Sequence, residues 1–90
     1  MAKAVVDPEI LRSFAGSLSR FTNDLRERSI HLHQQYSRLG ESWRDQEQEK
    51  FAEEFSVMLA ALNRFATTSE QQVPVLIRKA AAIQEYLEGH

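Results

Sequence analysis

Ninety residues without a single cysteine exclude both a disulfide framework and a thiolate metal site. Eleven basic against 13 acidic residues leave a formal charge of −2, which favours neither nucleic acid nor an anionic membrane as partner. A chain this short, 42% hydrophobic, suits one small domain spanning 1–90 that buries little core unaided, with 1–6 and 89–90 as flexible flanks.

The opening Met1-Ala2-Lys3-Ala4-Val5-Val6 holds too short an apolar run for a cleavable signal peptide, and no stretch approaches transmembrane length. Asp7-Pro8-Glu9 then starts a helix, with Asp as N-cap, Pro at the first helical position and an acid in the first turn. Leu11, Leu18, Leu25, Leu32 and Leu39 recur every seven residues, and Phe14 and Phe21 complete an a/d pattern that turns polar at Arg28 and Gln35. The expected first helix covers 8–39. Arg28 is expected to lay its stem on this seam and pair with Glu54, Asp24 or Glu27, or else to extend into water.

Leu39-Gly40-Glu41-Ser42-Trp43-Arg44-Asp45 is the bend. Gly40 suits a left-handed helix end, Ser42 suits the next N-cap, and Asp45 suits the first turn that follows. The second helix is expected over 43–88. Its apolar positions Phe51, Phe55, Met58, Leu62 and Phe65 form a second heptad seam. Folded about a hinge between Glu41 and Ser42, the seams match as Leu32 with Phe51, Leu25 with Met58, Phe21 with Leu62 and Leu18 with Phe65. Arg28 then falls opposite Phe55. The predicted fold is all-α, an antiparallel helical hairpin.

Beside that seam runs another row, Ala52, Leu59, Ala66, Val73, Ala80 and Leu87. A stripe this wide contacts two neighbours, or else its alanines serve helix propensity alone. Polar residues 67–72 and Pro74 predict a kink or break near 71–74. Beyond it Leu76, Ile77, Ala80, Ile83 and Leu87 resume helical spacing. In the predicted register residues 76–90 outrun the first helix. Leu59, Val73, Leu76, Ile77, Ile83 and Leu87 are therefore the predicted dimer or partner face, and the assembly a dimeric four-helix bundle.

A helical hairpin of this length with Trp43 at its bend, followed by Phe51, Phe55 and Met58, resembles the WXG-type (Trp-x-Gly) early-secreted-antigen-like family of type VII secretion. The glycine of that motif is here Asp45. The family's tail signal, a Tyr followed four residues on by an acid, would start at Tyr86 and meets His90. The resemblance implies homo- or heterodimerisation, and localisation that is secreted without a cleavable signal peptide, or cytoplasmic before export. It also implies a secretion motor ATPase or a larger effector as partner. Trp43 then has two readings: a hydrophobic cap on the hairpin end, or, with the Tyr86 tail of the other subunit, a composite surface for the motor.

Catalytic, cofactor and metal sites are not expected. No serine elbow or glycine-rich phosphate loop is present. His31 and His33 point to different sides of a helix, and Glu27 with His31 does not make the Glu-x-x-His spacing of di-metal bundles. Glu47, Glu49, Glu53 and Glu54 suit the start of a helix and its solvated face. Arg12, Arg20, Arg26, Arg28 and Arg38 are offset by Glu9, Asp24 and Glu27, too weak an excess for a nucleic-acid face.

Overall fold

The computed structural model describes residues 6–89 and shows a two-helix hairpin, with α1 over Pro8–Leu39 and α2 over Gln46–Leu87. The α1 bounds follow from local chemistry. Asp7 caps it by accepting the Glu9 amide on Oδ1 at 2.9 Å, and Pro8 occupies the first turn, where no N–H is needed. At the other end the Gly40 amide still donates to the Tyr36 carbonyl (2.9 Å), and tighter turns follow as Glu41 bonds Arg38 and Ser42 bonds Leu39. Gly40 is not left-handed. The sole positive-φ residue described is Gly89, at φ 80°, closing α2.

The second helix begins three residues later than the sequence suggests, and its cap is Asp45 rather than Ser42. Asp45 Oδ1 accepts the Gln48 amide at 3.0 Å, whereas the Ser42 hydroxyl turns back to the Leu39 carbonyl at 3.4 Å. Asp45→Ala should therefore cost about 1 kcal/mol in urea denaturation, with Ser42→Ala near zero. Equal losses would mean that Asp45 is not the cap. Helix α2 also continues through Pro74, so the expected break is absent. Pro74 faces solvent there, its ring lying off the buried stripe.

The chain divides into two compact units, Met1–Thr22 with Thr68–His90 and Asn23–Thr67, here the terminal and bend units. Residues 1–5 and 90 lie outside the described residues, so the His90 end of the tail signal does too. In the terminal unit Pro8, Ala15 and Thr22 of α1 are buried, together with Ser69, Ala80 and Ile83 of α2. The Thr22 hydroxyl is satisfied by the Leu18 carbonyl at 2.8 Å. Burial of Ala80 and Ile83, and half-burial of Leu76, correct the expectation that residues 76–90 lack a partner within the hairpin.

In the bend unit Phe55 and Ala66 are buried, and Leu25, Ser29, Tyr36, Ala52, Leu59 and Leu62 are half-buried. The pairing has slid by one to two turns. Phe51, expected opposite Leu32, and Phe55, expected opposite Arg28, both meet Tyr36, with ring centroids at 5.7 and 4.7 Å. The late start of α2 lengthens the connection and moves the helix along its neighbour. Arg28 lies out in water and pairs with Asp24 at 3.1 Å, not with Glu54.

The packed stripe is rotated as well as slid. On α1 it centres on the seven-residue row Pro8, Ala15, Thr22, Ser29, Tyr36, with Leu11, Leu18 and Leu25 half-buried along one flank. On α2 it comprises Ala52, Leu59, Ala66, Val73 and Ala80 beside Phe55, Leu62, Ser69, Leu76 and Ile83. Small side chains at the contact let two helix axes come close, and paired phenylalanines would hold them apart.

Candidate interaction surface

The bend is built around four rings. Trp43 lies half-buried with its ring centroid 5.9 Å from that of Phe51, Phe51 stacks on Phe55 at 5.6 Å, and Tyr36 leans on both phenylalanines. The Gln48 amide Nε2 donates to the Tyr36 hydroxyl at 2.9 Å, which satisfies the polar end of a ring whose body is in the seam. This supports the capping role for Trp43, held by a residue just inside α2. Tyr36 and Gln48 escape sequence reading. Tyr36 follows Pro8, Ala15, Thr22 and Ser29 in a row that carries no apolar signal of its own.

Several residues expected in the hairpin seam are exposed instead: Phe14 and Phe21 in the terminal unit, and Leu32, Leu39, Phe51, Met58 and Phe65 in the bend unit. Of the expected seam, Phe55 is buried, and Leu11, Leu18, Leu25 and Leu62 are half-buried. The predicted partner face is divided too. Leu59, Val73, Leu76 and Ile83 belong to the hairpin's own packing, whereas Ile77 and Leu87 are exposed. Compared with family profiles, curated proteins and solved structures, the chain matches none.

The bend unit thus has two unlike faces. On one, Arg26 reaches from α1 to Asn63 Oδ1 (3.4 Å) and Thr67 Oγ1 (3.2 Å) of α2. This crossing adjoins a groove of about 470 Å³ lined by Leu25, Ile30, His33, Leu59 and Leu62 among others. The small side chains of Ser29 and Ala66 leave that space open. Helical phase then fixes the opposite face. Leu32 and Leu39 lie on the flank of α1 away from Arg26, and Phe51 and Met58 lie on the flank of α2 away from Asn63. They form an exposed apolar surface bordered by Arg28 and Gln35 on the α1 side and by Glu47 and Glu54 on the α2 side.

In the terminal unit Tyr86 is 74% exposed on the last turn of α2. Among the described residues no three carboxylate or imidazole groups converge on a point that could hold a metal ion, and no helix is long and apolar enough to cross a membrane. What the arrangement offers chemically is apolar and aromatic contact area with a charged border, which suits protein recognition.

Proposed function

We propose that this chain is a non-enzymatic, type VII secretion-associated helical protein, acting as a secreted dimer or as the co-exported partner of a larger effector. One observation carries the binding part of this reading: the bend unit leaves Leu32, Leu39, Phe51 and Met58 in solvent on one face. Contiguous apolar area of this kind marks a protein contact. The secretion part rests on Trp43 at the bend and on the resemblance it carries. Trp43 and Tyr86 are the residues through which a secretion motor ATPase would recognise it.

Fractionation of culture medium tests the proposal. The wild-type chain should appear outside the cell, and Trp43→Ala should accumulate inside while keeping its helical circular dichroism. A folded Trp43→Ala variant exported like wild type would remove the tryptophan from recognition. A second reading, an intracellular adaptor or chaperone-like subunit, is favoured by the groove beside Arg26, which gives a client a further docking surface. Retention of the wild-type chain in the cell with a bound client would select it.

A further inference from the structure

We draw no further inference here: the strongest candidate, the groove of the bend unit lined by Leu25, Ile30, His33, Leu59 and Leu62 beside Arg26, carries nothing, because the Arg26 guanidinium already donates to Asn63 and Thr67 and nothing in the structure shows what covers the groove.

Discussion

Phe55→Ala should remove about 3 to 5 kcal/mol of folding stability, a large part of the 5 to 15 kcal/mol that a domain commonly has. Phe55 is 6% exposed, and among the buried apolar residues only it and Ile83 are large; the others are alanines. Its ring lies against Tyr36 at 4.7 Å and Phe51 at 5.6 Å, so truncation opens a cavity where the two helices meet nearest the bend. Phe14→Ala removes the same atoms from a side chain that is exposed in the terminal unit, and should change stability by less than about 0.5 kcal/mol. Urea denaturation of protein dilute enough to be monomeric compares the two directly. The seam read from heptads alone holds both phenylalanines and predicts similar losses. Equal losses would therefore restore that seam and overturn the one described above.

The contrast shows where periodicity stops being informative. Helix α1 was readable to the residue because its signals are local: a cap at Asp7, a proline at the first position, and a leucine every seventh residue up to Leu39. The hairpin followed from two such helices and a glycine-containing bend between them. Which face of each helix turns inward was not readable from where the largest apolar residues lie. The leucine row packs only as far as Leu25, where it flanks the contact; the inward row holds Ala15, Thr22 and Ser29, whose apolar signal is weak or absent. The row of Ala52, Ala66 and Ala80 is visible in the sequence, where it fits a second neighbour or helix propensity alone equally well. A joint signal exists: α1 carries Ala15, Thr22 and Ser29 at every seventh position and α2 carries Ala52, Ala66 and Ala80 at every fourteenth, small residues that let backbones approach closely.

The bend was partly readable for a similar reason. A lone tryptophan between two helical patterns identifies itself, and its packing on Phe51 needs only a residue one turn into the next helix. The cap was harder, since Ser42 and Asp45 both fit the N-cap preference and the choice between them is made by where Trp43 must sit. With Trp43 unwound and turned onto Phe51, Asp45 is the first residue placed to accept the Gln48 amide. That choice delays α2 and sets the slide that brings Tyr36, rather than Leu32, against Phe51. The register is thus a tertiary consequence of one side chain.

Pro74→Ala should stabilise the protein by about 2 kcal/mol. Proline in a helix interior costs roughly 3 kcal/mol relative to alanine, because it supplies no N–H to the carbonyl four residues earlier and its ring presses on the preceding turn. Alanine at that position gives the hydrogen bond back. Part of the gain is offset, by about 0.4 to 1 kcal/mol, because proline also stiffens the unfolded chain. Pro74 is exposed and lies in an uninterrupted helix, so no packed neighbour has to move when the ring is removed. For a chain of this size the net gain corresponds to a melting temperature higher by roughly 8 to 16 °C, read by circular dichroism at 222 nm. A lower melting temperature would show that the ring fixes the direction of α2 beyond residue 74, and that burial of Ala80 and Ile83 in the terminal unit depends on it. Helix propensity and tertiary direction predict opposite signs at this residue, and the exposure of the ring favours propensity.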